Sequence, residues 1–132
     1  MWVQMQPPTV LIADDDPVSQ CVLQHTLAKA GFSVISAQDG REVLAMMDRE
    51  KPDLVVLDVM MPIMDGIEAL RRAKADEELR SIPIIMVTSR EQDTDIVGAL
   101  NLGAADYLVK PFMPTELAAR AIRIVAERRK AA

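Results

Sequence analysis

Asp14, Asp15, Asp58, Thr88 and Lys110 are the residues of this sequence whose types, brought together, would do chemistry. Two carboxylates about 4 Å apart repel by roughly 4 kcal/mol at an effective dielectric of 20, so three converging ones call for a counter-ion. With oxygen ligands alone, a hard cation such as Mg²⁺ suits them better than zinc. Such a cation, the Lys110 ammonium and the Thr88 hydroxyl would together grip the oxygens of a phosphoryl group, leaving Asp58 to attack phosphorus in line. Taken singly each residue has a plainer use, and Asp14-Asp15-Asp16 before Pro17 would by itself merely cap a helix. The case for chemistry rests on their convergence.

That convergence depends on the elements around them. Apolar runs over 9–13, 32–36, 53–58, 83–88 and 106–109 read as strands, each followed by a segment of helical period. The alternation predicts a five-stranded parallel sheet, doubly wound, with helices on both faces. "DLVVLD" and "PIIMVT" are continuously apolar, as central strands buried on both sides must be. In such sheets ligands bind outside the carboxyl ends of the strands, where strand order reverses. Asp14 and Asp15, Asp58, Thr88 and Lys110 each end or follow a strand, so one sheet edge collects them. The first helix opens at Pro17, behind Asp16 as a helix-start residue, and stops at Gly31. Its periodicity assigns Ser19, Val22, Leu23, Thr26, Leu27 and Ala30 to the sheet-facing side and turns His25, the single histidine, to solvent. A last helix over about 114–129 ends in Arg128-Arg129-Lys130, which complement the negative end of its dipole.

Composition limits the alternatives. The 132 residues fit one domain; residues 1–8 read as a flexible leader, 9–129 as the domain and 130–132 as a C-terminal tail. A net charge of -5 argues against direct binding of nucleic acid or of an anionic membrane surface. One cysteine, Cys21, rules out an internal disulfide and a thiolate cluster. No signal segment or long apolar run is apparent, and a cytoplasmic location is expected. The methionines at 60, 61 and 64 read as loop packing rather than a soft-metal site.

"VLIADDD", "VVLDVMMPIMDG", "PIIMVTS" and "GAADYLVKPF", with the intervals between them, resemble the receiver domain of bacterial two-component response regulators over about residues 9 to 129. The resemblance implies a flavodoxin-like (βα)5 fold with strand order 2-1-3-4-5. It implies that Asp58 accepts a phosphoryl group from the phosphohistidine of a sensor histidine kinase or phosphotransfer protein. Asp14, Asp15 and Asp58 and the backbone carbonyl of Met60 would hold Mg²⁺ or Mn²⁺, while Thr88 and Lys110 would bind the phosphoryl oxygens. A switch is implied as well: Thr88 moves toward the phosphoryl group, Tyr107 turns inward, and the face built from helix 4, strand 5 and helix 5 changes. A cis Lys110-Pro111 bond belongs to the same pattern. Met60 and Arg90 take the places that tune hydrolysis in this family, and a thioether orients water poorly, so a long-lived phosphoryl group is expected. Asp106, Glu116 and Arg120 match charged residues of a regulator dimer face, but Ile96-Val97-Gly98 stand where that dimer draws a basic partner; a monomer or a phosphorylation-dependent dimer is expected, with Ile122 projecting to solvent.

The competing reading is enzymatic. "DDDPV" also matches the Asp-x-Asp-x-Thr/Val nucleophile motif of haloacid-dehalogenase-like phosphatases, with Asp14 as nucleophile. Those enzymes need a further acidic motif after the lysine, and beyond Lys110 only Glu116 and Glu127 follow, both on a predicted helix. The sequence therefore favours a switch that phosphorylates itself over a turnover enzyme.

Overall fold

The computed structural model of the protein describes residues 6–89 and 93–131. Five strands alternate with five helices: β1 (Thr9–Ala13), α1 (Pro17–Lys29), β2 (Ser33–Ala37), α2 (Gly40–Glu50), β3 (Leu54–Asp58), α3 (Gly66–Ala75), β4 (Ile84–Ser89), α4 (Asp93–Asn101), β5 (Asp106–Lys110) and α5 (Pro114–Ala131). The strands form one parallel sheet in the order 2-1-3-4-5. Strand order thus reverses between β1 and β3, the strands that carry the aspartates.

Side-chain alternation along each central strand feeds two cores. Leu11, Val55, Leu57, Ile84 and Met86 pack with Val43, Met47, Leu70 and Ala99 of α2, α3 and α4. Val10, Ile12, Leu54, Val56, Ile85 and Val87 pack with Leu23, Leu27, Leu117, Ile124 and Val125 of α1 and α5. β3 is buried along its whole length, as the continuous apolar run predicts. Each such Val, Leu or Ile contributes about 1.5–3 kcal/mol relative to its exposed form.

Several boundaries differ from those the sequence predicts. β2 starts at Ser33, because Phe32 turns into the α1/α5 core while Ser33 pairs with Thr9. β5 runs through Lys110, paired with Ser89, and α5 continues to Ala131. The buried face of α1 is narrower than its periodicity implies: only Leu23 and Leu27 are buried, and Val22 is 41% exposed. The first turns of α1 border a groove instead, where Val18, Ser19 and Val22 line the wall with Lys110, Pro111 and Phe112. His25 and Cys21 are exposed, and Ile122 reaches solvent as expected. Met61 and Met64 pack against the core, whereas Met60 is exposed.

Candidate functional site

Local hydrogen bonding explains how the aspartates are presented. Asp14 follows β1, its Oδ1 accepting from the Asp16 amide at 2.9 Å in a tight turn, and the next side chain, Asp15, is exposed. Asp16 then caps α1, accepting from the Val18 amide and from the Ser19 hydroxyl at 3.0 Å, with Pro17 in the first turn. Asp14 is fully buried, Asp58 is nearly so and Asp15 is exposed, and one oxygen from each lies within 4.8 Å of the other two. An all-oxygen cluster of this spacing suits a hard divalent cation better than the soft ions that thiolates select.

The loop after Asp58 is pinned at both ends. The Gly66 amide donates to the Val59 carbonyl, and the Gly40 amide donates to the Met64 carbonyl, each at 2.9 Å. A Cβ on Gly66 would lie 2.3 Å from the Asp58 carbonyl oxygen, and one on Gly40 would lie 2.5 Å from that of Met64, so only glycine permits either approach. Between these pins Ile63 holds a left-handed φ of 69°, a conformation that costs an L residue about 1–2 kcal/mol. The close glycine contacts hold the loop against that cost. The Met60 amide donates to Asp58 Oδ1 at 3.3 Å, so the loop also orients the carboxylate.

Lys110 closes the site from β5. Its Nζ donates to Asp14 Oδ2 at 2.8 Å, to Asp58 Oδ2 at 3.3 Å and to Ser19 Oγ at 3.3 Å. Burial pulls the ammonium's pKa down, but the hydrogen bond to Asp14 and the charges of Asp58 and Asp14 outweigh it and leave the pKa above its ordinary value. Burial raises Asp58 to about 6, and the neighbouring Asp14 charge adds to the rise against the pull of Lys110. The site thus carries more negative charge than one lysine neutralises.

The structure brings Asp14, Asp15, Asp58 and Lys110 together as the sequence predicts. Thr88 is buried at the end of β4, and Tyr107 is partly buried against the core on the α3 and α4 side. The Lys110-Pro111 bond is cis. Arg90 lies outside the described residues, as does the side chain of Ile96, while Val97 is exposed on α4. The charged residues that the resemblance assigns to a dimer face pair within the chain: Arg120 donates to Asp106 Oδ1 at 2.8 Å and to Glu116 Oε1 at 2.9 Å. Ser19 is the site residue that sequence reasoning missed. Its signal was present in the i, i+3 spacing from Asp16, but the hydrogen bond to Lys110 spans the fold.

A family model, the response regulator receiver domain, matches residues 10–122. The chain is 43% identical over 111 residues to the alkaline phosphatase synthesis transcriptional regulatory protein PhoP of Bacillus subtilis, covering 84% of this chain and 45% of that protein. It is 41% identical over 102 residues to protein PilH of Pseudomonas aeruginosa, covering 77% of this chain and 84% of PilH. Among solved structures, the signal receiver domain of a signal transduction histidine kinase from Syntrophus aciditrophicus superposes with a TM-score of 0.84 at 33% identity, covering 91% of each chain.

The fold and the matched residues define a receiver domain of two-component signal transduction. The chain belongs to the response regulator receiver family. It spans about half the length of PhoP and of the ycf27 and MprA regulators that it also matches. The phosphatase reading is not favoured: Asp14 is fully buried, and its two oxygens accept from the Asp16 amide and from Lys110. Among the described residues, no helix is long and apolar enough to cross a membrane.

Proposed function

We propose that this chain is a phosphoacceptor switch in which Asp58 takes a phosphoryl group from the phosphohistidine of a sensor histidine kinase or a phosphotransfer protein. The observation that carries the reading is the position of Asp58: nearly buried, beside the other two carboxylates, with Lys110 Nζ 3.3 Å from Oδ2. An Asp58 oxygen attacks phosphorus in line while the bond from phosphorus to the donor imidazole nitrogen breaks and its electron pair returns to the ring. The product is an acyl phosphate on Asp58. Asp14, Asp15, Asp58 and the Met60 carbonyl would hold Mg²⁺ or Mn²⁺, which when bound neutralises the carboxylates and the transferred charge. Lys110 releases Asp58 and donates to a phosphoryl oxygen, and the Thr88 hydroxyl donates to another.

Thr88 and Tyr107 carry the change outward. Thr88 lies at the end of β4, and Tyr107 is on the paired β5, so movement of the hydroxyl toward the phosphoryl group gives the ring space to turn inward. The affected surface is the α4–β5–α5 face, which meets a downstream partner or output domain. On this reading the protein is no turnover enzyme, because its own Asp58 is the substrate.

Incubation with acetyl phosphate and Mg²⁺, followed by intact mass measurement, tests the reading. One phosphoryl adduct is expected, absent in Asp58→Asn and retained, at a lower rate, in Asp14→Asn. Loss in Asp14→Asn alone, with turnover of a phosphomonoester, supports the phosphatase instead, and no adduct from any donor refutes the phosphoacceptor reading. With the exposed Met60 at the rim, the adduct should outlast that of the fast chemotaxis type. Rapid loss that Met60→Asn leaves unchanged refutes this.

A further inference from the structure

We infer that Ser19 is a positioning residue for Lys110, held in its own orientation by Asp16. An ammonium has three N–H bonds and no lone pair, so it is satisfied by three acceptors and no more. Lys110 Nζ has three: Asp14 Oδ2 at 2.8 Å, Asp58 Oδ2 at 3.3 Å and Ser19 Oγ at 3.3 Å. Two of these are charged metal-site carboxylates. Ser19 is the neutral one, and it comes from α1 rather than from a strand end.

The Ser19 hydroxyl is not free to turn. Its oxygen lies 3.0 Å from Asp16 Oδ2, and a carboxylate can only accept, so the Ser19 proton points to Asp16 and a lone pair faces Lys110. A directed chain results, running from Lys110 through Ser19 to Asp16. Asp16 is exposed and sits in the capping turn of α1, which fixes its place. The helix cap therefore also determines which way the Ser19 oxygen offers its lone pair.

The consequence concerns the transfer step, and it rests on the phosphoacceptor reading. During transfer Asp58 passes from carboxylate to acyl phosphate, and the ammonium must leave one acceptor for another. An anchor whose charge does not change through that exchange keeps Nζ at the mouth of the site. Without it the long side chain would draw back onto Asp14, its shortest contact. Ser19 touches neither phosphorus nor metal in this scheme; it acts through Lys110.

The test has one arm that needs no phosphorylation. In metal-free protein, the exchange of the Lys110 ammonium protons with water is followed by nitrogen-15 NMR in wild type, Ser19→Ala and Ser19→Thr. Loss of one neutral hydrogen bond predicts exchange faster by about three- to ten-fold in Ser19→Ala, with Ser19→Thr near wild type because it restores the hydroxyl. Phosphorylation by acetyl phosphate and Mg²⁺ should slow by a similar factor in Ser19→Ala and recover in Ser19→Thr. Circular dichroism confirms that each variant is folded. Unchanged ammonium exchange in Ser19→Ala, or failure of Ser19→Thr to restore it, overturns the inference. If wild type takes no phosphoryl group from any donor, the phosphoacceptor reading fails, while the exchange arm still decides the role of Ser19.

Discussion

Replacing Lys110 by Met lowers the stability of the metal-free protein at pH 7.5 by about 3 kcal/mol, measured by urea unfolding in the presence of a chelator. The side chain of Lys110 is a quarter exposed, but the carboxylates it serves are not: Asp14 is fully buried and Asp58 nearly so. Removing one partner of a buried pair leaves a desolvated charge with no compensation, which costs more than an intact pair contributes. Methionine keeps the length and the apolar stem of a side chain that lines the groove, so the loss reports the charge and its hydrogen bonds. The surviving carboxylates can escape by taking up a proton, which sets two further expectations. The deficit shrinks as the pH is lowered toward 5, and it shrinks when Mg²⁺ is added, because a bound cation supplies the missing charge and stabilises by mass action. Equal stability of variant and wild type under chelation would show that the lysine does not neutralise this site.

How far the site was legible depended on the kind of contact involved. Asp14, Asp58, Thr88 and Lys110 could be placed from sequence because each follows an apolar run of strand length, and a parallel sheet brings the ends of such runs to one edge. Burial on both faces of the sheet followed from the same apolar runs. Val22 was misassigned because helical period ranks the faces of a helix without saying how far the sheet extends beneath it. Ser19 was missed for a related reason: its partner Lys110 is remote in sequence, so no local pattern pairs them. Gly40 and Gly66 look alike in sequence as residues that open helices, and only the fold shows that each one lies against a backbone carbonyl of the acceptor loop or strand. The intrachain pairing of Arg120 with Asp106 and Glu116 belongs with these, since i, i+4 spacing suggests one partner but the other comes from β5.

Asp58→Asn should make the same metal-free protein more stable, by about 2 kcal/mol at pH 7.5, even though it removes the residue on which the proposed function depends. Burial, with the charge of Asp14 beside it, raises the Asp58 pKa from 3.8 to about 6, so the folded protein binds this proton more tightly than the unfolded chain does. The stabilisation that comes with protonation is therefore complete below about pH 3.8 and is lost as the pH rises through 6. Above 6 the ionised carboxylate charges the fold up to about 3 kcal/mol, and asparagine, uncharged at every pH, avoids most of it. The gap between variant and wild type should be full at pH 7.5, fall through the interval from 6 to 4 and be nearly closed at pH 4. Mg²⁺ should narrow it from the other side, by stabilising wild type more than the variant that lacks one carboxylate. An Asp58→Asn variant no more stable than wild type at pH 7.5 under chelation, or a gap that widens on acidification, contradicts this account. Opposite signs for Lys110→Met and Asp58→Asn are the sharper requirement, because generic damage to a packed site makes both variants weaker, whereas an excess of buried negative charge makes loss of the lysine harmful and loss of the aspartate favourable.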